Sequence, residues 1–94
     1  LIIIRMKHKK AELLFEASVF LGKELRSKFG KRILGPEYPL VSRIRNLYIR
    51  QIMVKNPASS SQSELKEHIF DAINKFKKIA RYKSILIQFD VDPQ

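Results

Sequence analysis

The 94 residues include no cysteine, no tryptophan and three glycines, and only nine acidic residues stand against nineteen lysines and arginines. Without cysteine there is no disulfide, no thiolate nucleophile and no cysteine-ligated zinc in this chain, which fits a reducing compartment. Gly22, Gly30 and Gly35 are too few and too scattered for a Walker loop or a dinucleotide fingerprint, so ATP hydrolysis is excluded from this segment. Long apolar runs are also missing. The opening LIIIRM is too short for a signal h-region or a membrane span, and it reads as a strand.

The remaining candidates for chemistry are sparse. His8 sits at a strand end and His68 on the polar side of a helix, with Glu64 one turn before it; no third ligand converges on either, so neither marks a metal site. Asp90 and Asp92 are two apart on a strand and face the same way. Lacking a metal or a catalytic histidine, they are expected to pair with neighbouring cations or to accept backbone hydrogen bonds.

What the chain has in excess is positive charge, +10 net. Such a surface attracts polyanions over a screening length of about 10 Å at 0.1 M salt, so nucleic acid is the first partner to consider. Charge alone leaves a ribosome-associated or merely soluble basic protein open. A hydrophobic share of 45% excludes disorder, and the length suits one domain with one core, residues 1–94. Leu1 opens directly in an apolar run without an initiator methionine, so a piece of a larger protein is expected.

The residue pattern divides into six elements. Leu1 to Lys7 alternates towards its end and forms a first strand. From Lys9 to Phe29, Leu14, Ala17, Leu21, Leu25 and Phe29 recur at helical spacing, and Gly30 suits the left-handed position past a helix end. Arg32 to Leu34 is a short extended segment, followed over residues 35–42 by a rigid connection stiffened by Pro36 and Pro39. Arg43 to Lys55 reads as one long strand ended by Asn56-Pro57. After a serine-rich loop, Ala58 to Ser63, the pair Ser61 and Glu64 forms a capping box, and a second helix runs to about Ala80 on the stripe Leu65, Ile69, Ala72, Ile73, Phe76, Ile79. Lys83 to Asp92 is the final strand, ended by Pro93. The order βαββαβ predicts an α+β fold of the ferredoxin-like split βαβ type: a four-stranded, mostly antiparallel sheet with two helices on one face and the other face, with Arg5 and Lys7, left free.

The cations cluster. Lys23, Arg26, Lys28, Lys31 and Arg32 gather around the end of the first helix, Lys75, Lys77, Lys78, Arg81 and Lys83 around the end of the second, and Arg43, Arg45 and Arg50 lie along the long strand. Cations at helix C-termini oppose the macrodipole, which accounts for part of them. The surplus points to phosphate contacts, with Arg43, Arg45, Lys28, Lys31, Arg32 and Arg50 as candidates. Such contacts give salt-sensitive binding largely indifferent to sequence. Base stacking has less support, because Tyr48 is the only aromatic on its strand.

Two stretches, RILGPEYPLVSRIRNLYIRQIMVK and the ending FDVDPQ, resemble the C-terminal domain of the primosomal replication-restart helicases (primosomal protein N′, PriA). The features that carry the likeness are Leu34-Gly35-Pro36, Arg43, Tyr48, Gln51 with Ile52-Met53-Val54, and Asp90-Val91-Asp92-Pro93. The family often places a glycine two residues before the tyrosine and an arginine directly after it; here those positions hold Asn46 and Ile49, with the nearest arginine at Arg50. A one-residue shift in a strand reverses the face, so that arginine's role does not transfer to Arg50.

The resemblance implies a non-catalytic domain, similar in fold to a small-subunit ribosomal protein, at the end of a multidomain ATP-dependent DNA helicase. It implies binding of branched fork DNA, docking against sister helicase domains, and contact of the parent with single-stranded DNA-binding protein and primosome proteins. ATP, magnesium and zinc belong to other domains of that parent, a cytoplasmic, nucleoid-associated bacterial enzyme with no membrane partner. An RNA-binding ribosomal-protein-like domain, a purely structural brace and an acylphosphatase-like enzyme are the competing readings, the last disfavoured because no glycine-rich phosphate loop follows the first strand.

Overall fold

The computed structural model describes residues 1–55 and 62–91. Its elements are β1 (Ile2–His8), α1 (Ala11–Phe29), a 3₁₀ turn Gly30–Arg32, β2 (Ile33–Glu37), β3 (Arg43–Ile44), β4 (Leu47–Val54), α2 (Gln62–Lys77), a second 3₁₀ turn Ala80–Tyr82, and β5 (Leu86–Val91). The sheet order is β2-β4-β1-β5, with β3 paired to β4 and every pairing antiparallel. This is the expected α+β, ferredoxin-like arrangement. The proposed capping residue Ser61, and Asp92 and Pro93, lie outside the described residues.

Alternation along β1 decides what each face of the sheet does. Ile2, Ile4, Met6 and His8 are buried, whereas Ile3, Arg5 and Lys7 are only half-buried. Residues directly opposite in an antiparallel pair share a face. Ile52, Val54, Ile87 and Phe89 therefore join the helix side, and Arg5, Gln51, Gln88 and Asp90 the other. Onto the helix side α1 lays Leu14, Ala17, Leu21 and Leu25, and α2 lays Leu65, Ile69, Ala72, Ile73 and Phe76. Phe76 is fully buried at the centre, stacked on Tyr82 with centroids 5.0 Å apart, and Phe20 tilts against both rings.

The middle of the chain departs from expectation. The segment Arg43 to Lys55 is not one strand: Arg45 (φ 51°) and Asn46 (φ 68°) form a two-residue turn between β3 and β4. Positive φ at both central positions is the signature of the tight hairpin turn whose twist matches the strands it joins, and asparagine is among the few residues that accept it readily. A fifth strand results. Likewise β2 does not stop at Leu34 but runs through Pro36 to Glu37, so the expected connection over 35–42 shortens to 38–42.

The registers explain how a proline can sit there. Ile33 and Leu34 pair with Val54 and Met53, Glu37 with Gln51 after a shift, and Arg43 and Ile44 with Tyr48 and Leu47 after a further one. β2 and β3 are thus one interrupted strand running beside β4, with a bulge at Gly35-Pro36, whose peptide is cis, and an excursion at residues 38–42. This strand is the sheet's edge, where a missing N–H costs no ladder bond, and proline and bulges blunt an edge against unwanted pairing. Ile49 N–H donates to Ser42 O at 2.8 Å where the excursion rejoins. The loop's apolar residues Pro39, Leu40 and Val41, with Ile44 of β3, share a groove of about 520 Å³ with Arg5, Lys7, Gln51 and Gln88. Ile49, in that groove on the side away from the helices, is only 4% exposed.

α1 holds the bulge in place. The buried Gly22 leaves room for Pro36, whose Cδ would lie 2.8 Å from a Cβ built there, and one turn later the Arg26 guanidinium donates to Gly35 O. Gly22→Ala sets a helix-propensity gain of up to about 1 kcal/mol against overpacking by a ring that cannot rotate away, which costs about 1–3 kcal/mol. Urea unfolding is expected to show Gly22→Ala less stable than the parent by about 1–2 kcal/mol; a variant equal to or more stable than the parent would refute this packing account.

Candidate nucleic-acid interface

The fold separates the candidate cations into two groups. Arg43 and Arg45 stand exposed at the β3–β4 turn. The register of His8 with Tyr48 brings the exit of β1 alongside, with Lys7, Lys9 and Lys10. His8 Nε2 donates to Ser84 Oγ at 2.8 Å while Nδ1 accepts from Lys10 N–H at 2.9 Å, an arrangement that fixes the tautomer and draws Lys83 to the same end. Lys28, Lys31 and Arg32 lie at the opposite end, where Lys55 N–H donates to Arg32 O at 2.9 Å. The 19 residues of α1 span the interval, about 28 Å at the helical rise.

Arg50 belongs to neither group, and the expectation that it contacts phosphate is corrected here. Opposite Met6 in the register, it points to the helix side and is only 6% exposed. Its Nε donates to Ser18 Oγ at 3.1 Å, and its guanidinium lies between two aromatic rings, 4.7 Å from the Phe15 centroid and 4.4 Å from that of Tyr38. A planar, weakly hydrated guanidinium tolerates such a sandwich where an ammonium would not. Beside it on the same face of β4, the Arg43 guanidinium covers Tyr48 at 4.9 Å.

Three further residues of the family-like stretches, Gly35, Pro36 and Asp90, make defined contacts within the fold. Gly35 adopts φ 93°, and a Cβ there would meet Gln51 O at 2.9 Å, so backbone and space both require glycine. Pro36 fills the notch at Gly22. Asp90 accepts from Arg5 Nη1 at 3.0 Å across the open sheet face, the pairing its position suggested. Phe15 and Tyr38 were not among the sequence candidates, although Phe15 carried a signal: an aromatic next to Leu14 lies off the buried stripe of α1.

One cation near the first group is already engaged. Arg81 donates from Nε and Nη2 to the two carboxylate oxygens of Glu16, at 2.7 and 2.9 Å, and Tyr82 Oη donates to the same carboxylate at 2.7 Å. These bonds, Arg81's foremost, hold the Glu16 carboxyl below its ordinary range, and Glu16 in turn raises Arg81. Burial, followed by the bond to Glu16, raises the Tyr82 phenol.

Among the described residues no three histidine, aspartate or glutamate side chains come together to hold a metal, and no helix is long and apolar enough to cross a membrane.

The whole chain, residues 1–94, matches the family model described as the primosomal protein N C-terminal domain, and the chain belongs to that family. Membership implies a primosomal, replication-restart role. No curated protein matches the chain.

The Glu16 arrangement gives a pH dependence with a definite sign. Its folded pKa lies below the unfolded one, so its contribution to stability is complete above the ordinary carboxylate range and fades as pH falls through the lowered value. The stability gap between the parent and Glu16→Gln in urea unfolding should be full at about pH 7 and shrink progressively as the pH falls below the ordinary carboxylate range. A gap that stayed constant or widened on acidification would contradict the assignment.

Proposed function

We propose that this domain is a non-catalytic DNA-binding and interdomain docking module of an ATP-dependent replication-restart helicase, which recognises stalled forks and starts primosome assembly. The observation that carries the reading is the gathering of Lys7, Lys9, Lys10, Arg43, Arg45 and Lys83 at one end of the sheet, on a chain of net charge +10. These side chains neutralise phosphates of branched DNA without reading bases; Lys28, Lys31 and Arg32 form a second contact at the far end. Counterion release then dominates the affinity.

In this reading catalysis resides elsewhere in the parent, with ATP, magnesium and zinc in its other domains. The remaining surface of this module packs on sister helicase domains, and the parent meets single-stranded DNA-binding protein and primosome proteins in the bacterial cytoplasm, associated with the nucleoid.

Fluorescence anisotropy with forked DNA, blunt duplex and structured RNA tests the reading. For duplex, log affinity is expected to fall against log salt with a slope of about −0.9 per neutralised phosphate, and the double variant Arg43→Ala/Arg45→Ala should flatten that slope by about two contacts' worth. Absence of salt-dependent DNA binding at low ionic strength would sink the proposal. Tighter binding to RNA than to forked DNA would transfer the function to a ribosomal-protein-like reading.

A further inference from the structure

We infer that Tyr38 is a stacking platform for an unpaired base, which makes the ligand at this edge of the domain single-stranded DNA rather than duplex. The inference rests on the DNA-binding reading above and adds what that reading lacks, a contact to something other than phosphate.

Tyr38 is 52% exposed although one face of its ring lies on Arg50, 4.4 Å from the guanidinium carbon. So much remaining exposure leaves the opposite face open. The ring is not a loose surface side chain. Arg50 is itself fixed, 94% of its surface removed from solvent, by its bond to Ser18 Oγ and by Phe15 on its far side. Tyr38 is thus presented on an immobile support, so a base that stacks on it incurs little further ordering cost. Each base has a π-face, which makes such a contact sequence-tolerant. The cation beneath the ring continues the same alternation of planar groups.

The neighbouring groups suit the sugar–phosphate chain. Arg43 lies over Tyr48, and Tyr48 is two residues from Arg50 on one face of β4, about 6.6 Å along the strand. Arg45 follows at the turn, exposed. Glu37, the acidic residue next to Tyr38, is occupied by Gln51 Nε2 at 3.4 Å. A strand that laid one base on Tyr38 would therefore carry its phosphates towards Arg43 and Arg45. A blunt duplex keeps its bases stacked on one another and offers nothing for Tyr38 to receive.

The test uses the 94-residue chain and two probes of one sequence, a single strand carrying 2-aminopurine and the blunt duplex. At about 50 mM salt, the single strand should lose fluorescence on binding as the probe base stacks. Tyr38→Ala, verified as folded by circular dichroism, should weaken single-strand binding roughly five- to hundredfold and abolish the fluorescence change, with duplex binding altered less than about twofold; Tyr38→Phe should retain both. Equal loss for both probes, or no loss for either, would overturn the platform, and in the second case would leave Tyr38 as a protein-contact residue. If Tyr38→Ala is silent while Arg43→Ala weakens both probes, the phosphate reading stands and the stacking inference falls. If neither probe binds the parent chain, both fall.

Discussion

The constraint on which the rest of this domain depends is the close approach of α1 to the Gly35-Pro36 bulge. A helix and an edge strand meet where the Pro36 ring fills the space left open at Gly22, and Arg26 ties the same bulge by its carbonyl. That contact fixes where the edge strand leaves the ladder with β4, and so where the loop over residues 38–42 begins. The loop's two consequences follow from that start. Its apolar residues cover one end of the open sheet face, and Tyr38 is delivered to Arg50. Because packed interiors have little slack, a displacement of even one methylene at Gly22 is felt along this whole line.

Arg50 is the chain's least conventional residue. A buried charge usually needs a carboxylate, and among the described residues Arg50 has a serine hydroxyl and two aromatic rings instead. The rings supply negative quadrupole faces to a weakly hydrated cation and exclude water from it, an arrangement worth more desolvated than exposed. Polar and aromatic groups are thereby coupled across three elements: Phe15 and Ser18 of α1, Arg50 of β4 and Tyr38 of the loop. Glu16, one residue beyond Phe15, turns instead to Arg81 and Tyr82, so consecutive positions of one helix turn serve two separate clusters.

Much of the architecture was legible in the residue order. The alternation in β1 and β5 and the stripes Leu14-Ala17-Leu21-Leu25 and Leu65-Ile69-Ile73-Phe76 each have one dominant period, and the topology follows from needing one sheet face to bury both. The middle of the chain was less legible, because Arg43 to Lys55 is uniformly strand-like in composition and its break depends on backbone dihedrals at Arg45 and Asn46. The cation site was only half legible. Charge could be counted from sequence, but Lys9 and Lys10 join Arg43 and Arg45 only through the pairing of β1 with β4, and Arg50 is removed from the surface by the register that sets its face. Tyr38 and Phe15 gain their meaning solely from a guanidinium distant in the chain.

The length of α1 has an electrostatic consequence. It sets the basic group at the hairpin and the group after Phe29 about 28 Å apart, roughly three and a half screening lengths at physiological ionic strength. Each group is therefore nearly blind to the charge state of the other. The two ends behave as separate electrodes on one rigid rod: a change of charge at one leaves the potential at the other nearly unchanged.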